Sequence, residues 1–348
     1  MSTVLVTGGS GFVGTNCIIQ LLNKEYVVRT TIRDSKKKEE ILSALRKADV
    51  EPKDRLSFFE ANLLSDGGWE EAMRGCDYVL HVASPFPASV PKDENDLIRP
   101  AKEGTLRVLQ FARDAGVRRV VVTSSSVAIN YGHSPQKEKF TEETWTNING
   151  PYVMAYAKSK TIAEQAAWNF IKSEGNSMEM VTVNPVGIFG PANSSNFSTS
   201  VLIVKQMLEG KMPLLPKVSF GVVDVRDVAD LHLRAMERPE ANGQRFLAVA
   251  DGYISFKELA ELLKNRLGDK AKQVSTRSIP DFLVRFMALF FRDAKPVLAE
   301  LGNVKDCSNE KAKRLLGWNP LSIEESIMAT ASSLIENGES QFYKINKT

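Results

Sequence analysis

The chain has 348 residues, of which 43% are hydrophobic and 25% are charged, and its formal net charge is +3. This is the composition of an ordinary globular protein, and the length predicts about two domains or one large domain with an insertion. So small a positive excess, without a long block of lysine and arginine, gives no basis for a nucleic-acid-binding surface.

Three cysteines and three histidines are scattered along the chain: Cys17, Cys76, Cys307, His81, His133 and His232. They lack the short spacings of a disulfide framework or a zinc site, so we expect neither. We expect structural or surface roles for the histidines, no bound metal, and a reducing, cytoplasmic environment.

The ends and apolar stretches of the chain give no sign of a membrane protein. The N-terminal sequence MSTVLVTGG lacks the charged and apolar regions of a signal peptide. The longest apolar stretch, residues 281–291, is too short to span a bilayer and is interrupted by Arg285. We expect it to form a helix that is buried against its own domain.

The predicted elements begin with a β-turn-α-β unit. Residues 3–9 form an apolar, β-branched run that ends in glycines, residues 12–25 have helical spacing, and residues 26–33 read as a second strand. A glycine turn in this context is the typical opening of a dinucleotide-binding domain.

Strands and helices continue to alternate as far as residue 185. The pattern predicts strands at 76–84, 117–126 and 178–185 and a helix around 154–173. Such alternation favours the α/β class, with a Rossmann-type, doubly wound parallel sheet covered by helices on both faces.

After residue 185 the sequence changes to loops, short strands and helices. We predict a dinucleotide-binding domain at 1–185, with a return segment near 213–250. Residues 186–212 and 251–348 are predicted to form a smaller, mostly helical substrate-binding lobe.

The glycine turn contains Gly8, Gly11 and Gly14 in a GxxGxxG spacing. Glycine allows a tight turn and close approach of backbone to a pyrophosphate, and the following helix offers unpaired N–H groups. A plain strand-to-helix turn is the alternative, but the position after the first strand favours a bound dinucleotide.

The end of the second predicted strand indicates which dinucleotide is bound. NAD sites usually place an acid there, whereas this strand ends at Ile32 and Arg33 follows it. A guanidinium suits a 2′-phosphate, and the lysines at 36–38 add positive charge. Asp34 could be the acid of an NAD site, but it lies past the strand and could instead cap the next helix. The alternative for Arg33 and the lysines is a solvated surface with no role in binding. We therefore predict NADP(H).

Tyr156 and Lys160 are four residues apart on a predicted helix. Such residues share one face and are separated by a rise of about 6 Å. A nearby ammonium lowers the pKa of a phenol from its usual value of about 10, and a shift to near 7 is worth roughly 4 kcal/mol. An ordinary amphipathic surface pair is the alternative.

Three consecutive serines, Ser124, Ser125 and Ser126, end an earlier predicted strand. A hydroxyl there lies near the expected crevice of the sheet and can bind a carbonyl oxygen together with Tyr156. Tyr156 would then act as the general acid of a carbonyl reduction. The order of glycine turn, serines and YxxxK makes chance an unlikely origin for the set.

Six motifs between residue 4 and residue 236 are similar to one known family: VLVTGGSGFVG, CDYVLHVASPFP, RVVVTSSS, YAKSK, VNPVGIFGP and VDVRDVADLHLRAM. The chain resembles the extended short-chain dehydrogenase/reductase family, in the branch of dihydroflavonol reductases and of aldehyde and ketone reductases. The resemblance implies Ser125, Tyr156 and Lys160 as the catalytic set, with Ser126 as the rival serine.

The same resemblance implies a set of cofactor contacts: Gly8, Gly11, Phe12, Val13, Gly14, Arg33, Lys37, Asn62, Leu63, Ala83, Ser84, Tyr156, Lys160, Pro185 and Val186. Asn62 departs from the aspartate that is usual in the adenine-contact segment, but its side-chain carbonyl can still accept a hydrogen bond. For the substrate pocket we name Phe86, Ser125, Tyr152, Val153 and Phe197.

We therefore expect an NADPH-dependent reductase of aldehydes or ketones, acting as a monomer or homodimer on a small-molecule substrate. The first alternative is an NAD-dependent sugar-nucleotide epimerase or dehydratase. Epimerases favour the strand-end acid that is missing here, and dehydratases favour an Asp-Glu pair where Ser126 and Val127 stand. The second is a non-catalytic NADP-sensing protein, which would commonly lack YxxxK. Steroid-type dehydrogenases are a further alternative.

Overall fold

The computed structural model describes residues 1–84, 91, 93–134, 138–192, 197–290, 295–336 and 338. These residues form eleven strands, numbered in chain order: Thr3–Thr7 (β1), Val27–Ile32 (β2), Leu56–Glu60 (β3), Tyr78–His81 (β4), Arg119–Thr123 (β5), Glu179–Pro185 (β6), Gly187–Phe189 (β7), Ser219–Phe220 (β8), Val222–Asp224 (β9), Arg245–Ala248 (β10) and Ile254–Ser255 (β11).

Twelve α-helices lie in the same described residues: Phe12–Asn23 (α1), Lys37–Lys47 (α2), Trp69–Met73 (α3), Asn95–Asp114 (α4), Ala155–Glu174 (α5), Thr199–Leu208 (α6), Val225–Glu237 (α7), Phe256–Leu267 (α8), Asp281–Phe290 (α9), Lys295–Glu300 (α10), Glu310–Leu316 (α11) and Ile323–Glu336 (α12). Helices therefore follow most strands of the N-terminal part, as the alternating sequence pattern predicted.

Seven strands form one parallel sheet in the order β10-β6-β5-β4-β1-β2-β3. The chain order reverses between β1 and β4, which are neighbours. In such sheets a crevice opens at that point, beyond the carboxyl ends of the strands, and ligands bind there. The predicted Rossmann-type fold is confirmed, and the crevice lies where the glycine turn and the serines end their strands.

The sheet is covered on both faces by apolar helices. Alternate residues of β1 point to opposite sides, so Val4 and Val6 pack with α1, α2 and α7, whereas Leu5 packs with α3, α4 and α5. All three side chains are fully buried. A strand that is buried on both faces needs a continuous apolar run, which explains why VLV can be recognised in the sequence.

The C-terminal part has its own apolar cluster, built from α6, α8, α12 and the short strand β9. Strand β10, from the return segment, pairs with β6 at the edge of the main sheet. Strands β7 and β9 form a separate parallel pair beyond the end of β6. The exact division of the chain into two domains stays a prediction.

The expectation that residues 281–291 form a buried helix is wrong in one respect. Helix α9 is present, but only Val284 and Ala288 are buried in it, while Phe282, Phe286 and Phe290 are 68%, 58% and 69% exposed. Val284 and Ala288 are four residues apart and therefore lie on the same face of the helix, which packs against the rest of the protein. The larger side chains face outward. Among the described residues, no helix is both long enough and apolar enough to cross a membrane.

Candidate active site

The glycine turn between β1 and α1 is closely packed. Gly8 has φ +69°, and a Cβ atom there would lie 3.0 Å from the Cα of Ala83. A Cβ atom at Gly14 would lie 2.4 Å from the carbonyl oxygen of Gly8, so only glycine lets the helix approach the turn. Gly9, which sequence reasoning did not single out, is equally enclosed, because its Cβ would lie 2.0 Å from Thr30 Oγ1.

The N-terminus of α1 faces the crevice with its backbone donors. Gly11 is the N-cap residue and gives no side-chain cap, and no acidic residue occupies the first turn. In the first turn of this helix, Phe12 is partly buried and Val13 is buried. The positive end of the helix dipole and the first N–H groups thus form a surface that suits a pyrophosphate.

Cationic side chains lie at the end of β2. Arg33 and Lys36 are exposed, whereas Lys37 forms an ion pair with Glu40 at 2.5 Å. Asp34 accepts a hydrogen bond from the backbone N–H of Lys36 at 2.9 Å, so it closes a turn and does not cap α2. Arg33 is therefore better placed than Lys37 to meet a phosphate.

The adenine-contact residues predicted at 62–63 follow the end of β3. Asn62 is exposed, and its Oδ1 accepts a hydrogen bond from the backbone N–H of Leu64 at 3.1 Å. A carbonyl oxygen has a second lone pair, so this turn does not prevent a contact with an adenine amino group. Leu63 packs against helix α4 beside Gly104, and Ser84 is exposed after β4.

Ser125 and Tyr156 meet at the carboxyl end of β5. Ser125 is the last extended residue before a 3-10 turn at Ser126–Ala128, and its side chain hydrogen-bonds to that of Tyr156. The Ser125 hydroxyl also lies 3.5 Å from the carbonyl oxygen of Pro185, at the end of β6. The structure thus places Ser125, and not Ser126, beside the phenol.

Lys160 lies one helical turn after Tyr156, near the N-terminus of α5. Its side chain is 8% exposed, and its Nζ donates a hydrogen bond to the carbonyl oxygen of Thr123 at 3.4 Å. The carbonyl at the end of β5 therefore holds the ammonium on the same side of the sheet as the phenol.

Burial controls the protonation of these two groups. Burial raises the pKa of Tyr156 to about 12, although the hydrogen bond with Ser125 opposes the rise. Burial lowers the pKa of Lys160 to about 8, and the negative charge of Glu164 opposes that change. The expected lowering of the phenol pKa does not occur in the chain by itself, because desolvation outweighs the hydrogen bond.

His81 is the last residue of β4 and lies close to Lys160. It is 2% exposed, and burial together with the charge of Lys160 lowers its pKa to about 3. Its Nδ1 shares a hydrogen bond of 2.9 Å with Thr7 Oγ1, which accepts another from the N–H of Ala83. This neutral histidine supports the turn that faces Gly8.

The predicted substrate residues differ in their burial. Tyr152 is 61% exposed and has a left-handed backbone with φ 58°, while Val153 is partly buried. Phe197 is partly buried against the C-terminal apolar cluster. Phe86 lies outside the described residues. Among the described residues of this set, Ser125 hydrogen-bonds to the phenol of Tyr156.

Sequence reasoning missed two neighbours of the site, the buried Glu164 and the partly buried Tyr131. Glu164 is 2% exposed and lies on α5 one turn after Lys160, a spacing that the sequence YAKSKTIAE displays. Tyr131 hydrogen-bonds to Glu300 and lies near enough to Tyr156 for an electrostatic interaction that helps to raise the pKa of Tyr131. Tyr131 has no spacing signal, since Glu300 comes from a distant segment.

Comparison with known proteins gives a consistent result. Residues 4–249 match the sequence model of the NAD dependent epimerase/dehydratase family. The chain is 34% identical over 341 residues to cinnamoyl-CoA reductase CAD2 of Medicago truncatula, covering 96% of each chain. It is 33% identical over 275 residues to a dihydroflavonol 4-reductase of Zea mays, covering 76% of this chain and 74% of the relative.

A solved structure also resembles this chain over almost its whole length. The NADPH complex of Gre2 from Candida albicans superposes with a TM-score of 0.78 at 28% identity, covering 97% of this chain and 99% of that one. The similarity thus extends beyond the sheet to the C-terminal part.

Proposed function

The chain belongs to the NAD dependent epimerase/dehydratase family, and we propose that it reduces an aldehyde or ketone to an alcohol, with NADPH as the hydride source and Tyr156 as the proton donor. Within the family it lies in the extended short-chain dehydrogenase/reductase group, in the branch that contains dihydroflavonol reductases. It is an oxidoreductase. We propose its substrate class and the role of each residue in the reaction.

The cofactor is NADP(H), and the residues of the crevice fit it. The close contact of Gly8 with Ala83 and the uncapped N-terminus of α1 suit the pyrophosphate. Arg33 stands where an NAD site would place an acid, and its exposed guanidinium suits the 2′-phosphate. Lys37 would have to leave Glu40 before it could bind the same group.

The hydrogen bond between Ser125 and Tyr156 is the observation that carries the proposal. Bound NADPH supplies the hydride that reduces the carbonyl carbon. The hydroxyls of Ser125 and Tyr156 both donate toward the carbonyl oxygen, where negative charge develops. Two donors that already share one hydrogen bond need little rearrangement to bind one oxygen between them.

Tyr156 is in the correct protonation state to act as an acid. Its pKa of about 12 keeps the phenol protonated at neutral pH, so a proton is available for the product alkoxide. The phenolate that remains is stabilised by the Ser125 hydroxyl and by the positive charge of Lys160. Tyr156 thus provides the proton, and Ser125 and Lys160 stabilise the negative charge that remains on the phenol oxygen.

The features of the site do not favour the epimerase or dehydratase alternative. Strand β2 ends at Ile32 and is followed by Arg33, not by an acid, and Ser126 and Val127 follow the serine where dehydratases carry two acids. As substrates we propose uncharged carbonyl compounds, such as aldehydes, α-dicarbonyls and aryl or alkyl ketones.

A ligand and substrate panel tests the proposal. Thermal unfolding is measured with NADPH, NADH and UDP-sugars at equal concentrations, because a ligand that binds the folded chain raises the unfolding midpoint more the tighter it binds. Oxidation of NADPH is then followed with aldehydes, α-dicarbonyls and ketones. We expect the largest thermal shift with NADPH, and turnover with at least one carbonyl class. A shift with UDP-sugars and no preference for NADPH would favour the epimerase alternative.

A further inference from the structure

Glu164 is a buried carboxylate that the mechanism above does not use. It follows Lys160 by four residues and Tyr156 by eight on helix α5, so the three side chains lie along one side of the helix. Only 2% of its surface is exposed. An ionised carboxylate is costly to bury unless it is paired and hydrogen-bonded, so its surroundings should explain its presence.

Both oxygens of the Glu164 carboxylate accept hydrogen bonds from groups on neighbouring strands. Oε1 accepts from Arg245 Nε at 2.7 Å and from Thr182 Oγ1 at 3.1 Å. Oε2 accepts from Ser124 Oγ at 2.5 Å and from Asn184 Nδ2 at 2.8 Å. One carboxylate thus connects α5 to β6, β10 and the end of β5.

Arg245 balances the charge of Glu164 from the edge strand β10. It is 8% exposed, and its Nη1 donates to the carbonyl oxygens of Glu142 at 2.6 Å and Thr144 at 2.9 Å. Its guanidinium also lies 3.7 Å from the ring centroid of Trp145. A structural staple between α5 and β10 needs only one carboxylate oxygen, whereas the second oxygen of Glu164 faces the serines.

The second oxygen holds the backbone of Ser125 from two sides. Ser124 precedes Ser125 and donates its hydroxyl to Glu164. Asn184 donates to Glu164 and also to the carbonyl oxygen of Ser125 at 3.2 Å. The side chain of Ser125 points the other way, toward Tyr156. Rotation of the backbone at Ser124 and Ser125 would break these contacts, so Glu164 restricts where the Ser125 hydroxyl can lie.

Glu164 also faces Lys160 across a small cavity of about 20 Å³. The ionisable side chains that line this cavity are His81 from β4, Lys160 and Glu164, and Arg245 lies behind Glu164. His81 is neutral at pH 7 because burial and the charge of Lys160 lower its pKa to about 3. Glu164 is therefore the negative charge that favours the ammonium form of Lys160.

We propose that Glu164 is a positioning residue of this site, which fixes Ser125 through Ser124 and Asn184 and supplies the negative charge that keeps Lys160 in its ammonium form. The contacts of Glu164 with β6, β10 and Ser124 involve no substrate or cofactor. Its meaning for turnover rests on the proposed reductase function, but its effect on Lys160 does not.

Carbon-13 NMR of labelled lysine side chains tests the effect on Lys160 without any turnover. The Lys160 signal is identified by its loss in Lys160→Met, and it should titrate at about pH 8, well below exposed lysines, which titrate at about pH 10.4. In Glu164→Gln this titration should move down by about one pH unit, because removing a nearby opposite charge disfavours the ammonium. Glu174→Gln, the same change at an exposed position of α5, should leave it unmoved.

Turnover tests the effect on Ser125. If Glu164 acts through Ser125, Glu164→Gln should lower kcat by roughly 10- to 100-fold in the wild-type background but by clearly less in the Ser125→Ala background. Equal losses in both backgrounds would overturn the positioning of Ser125. An unmoved lysine titration in Glu164→Gln would overturn the electrostatic role.

A double variant separates these roles from a loss of folding. Glu164→Gln leaves Arg245 buried without its charge partner, which can destabilise the fold. Glu164→Gln/Arg245→Met removes both charges, and it should regain thermal stability while the Lys160 titration stays low. Recovery of the wild-type titration in the double variant would contradict the proposal. If the wild-type chain reduces no carbonyl compound, the proposed function fails while the lysine titration still decides the role of Glu164.

Discussion

The two ends of the cofactor crevice are built differently. Beyond β5, Ser125, Tyr156 and Lys160 are held by hydrogen bonds, and Lys160 is 8% exposed. Beyond β2, Arg33 and Lys36 are exposed to solvent. In the enclosed end charges interact strongly and geometry is fixed, whereas exposed charges attract a phosphate, adapt to it and are screened by salt.

This difference indicates a division of tasks. Proton transfer depends on distances and protonation states that water would disturb, so the reacting end is buried and connected to the core. Selection between NADP(H) and NAD(H) depends on one added phosphate, which an exposed guanidinium can bind without a rigid frame. Substitutions at the two ends should therefore differ in both the size and the kind of their effects.

The largest expected effect comes from Tyr156→Phe at the enclosed end. Loss of the phenol proton should lower kcat by about 10²- to 10⁴-fold, while NADPH binding stays nearly unchanged. Steady-state kinetics and fluorescence titration with NADPH measure the two quantities. Tyr253→Phe removes an exposed phenol that has no assigned role in the site and is the matched control, for which we expect little change. Unchanged turnover in Tyr156→Phe would remove Tyr156 from the mechanism.

A smaller effect at the same end concerns stability in acid. The pKa of His81 falls from 6.5 in the unfolded chain to about 3 in the folded one, so its contribution is complete above pH 6.5 and is lost as the pH falls toward 3. At pH 5 the loss should be about 2 kcal/mol of unfolding free energy, because the unfolded chain binds a proton that the folded chain excludes.

Urea unfolding at pH 7 and pH 5 measures this loss in the wild type and in His81→Asn. The variant should lose about 2 kcal/mol less than the wild type between these two pH values. His133→Asn, at a partly exposed position, serves as the control. The same loss in His81→Asn and the wild type would show that His81 does not carry the acid sensitivity.

The smallest effect is expected at the exposed end. Arg33→Ala should weaken NADPH binding about 10-fold while NADH binding changes little, because one charge-assisted contact with the 2′-phosphate is lost. The difference should shrink as salt is added. Arg46→Ala, which removes another exposed arginine close by in the chain, is the control. An equal loss for NADPH and NADH would mean that Arg33 does not read the phosphate.

Much of the site could be anticipated from local patterns. The glycine turn, the serines at the end of β5 and the pair Tyr156 and Lys160 each depend on residues that are close in sequence. The regular geometry of a strand end or a helix turn fixes their mutual placement. Alternating apolar runs likewise predicted the sheet, because strands that are buried on both faces must be apolar.

Other features could not be anticipated because they depend on distant partners. The buried pair of Glu164 and Arg245 joins α5 to β10, and burial raised the pKa of Tyr156, which the sequence had suggested would fall. The apolar run 281–291 gave no indication of which residues of α9 would contact the body.

The sequence by itself determined the parallel sheet, the place of the glycine turn and the helix face that carries Tyr156 and Lys160, since these follow from short-range periodicity. Only the tertiary structure decided that Ser125 meets the phenol, that Glu164 lies against the serines and that Lys37 pairs with Glu40. Burial and pairing are properties of the space between elements, and periodicity along one element does not specify what lies across that space.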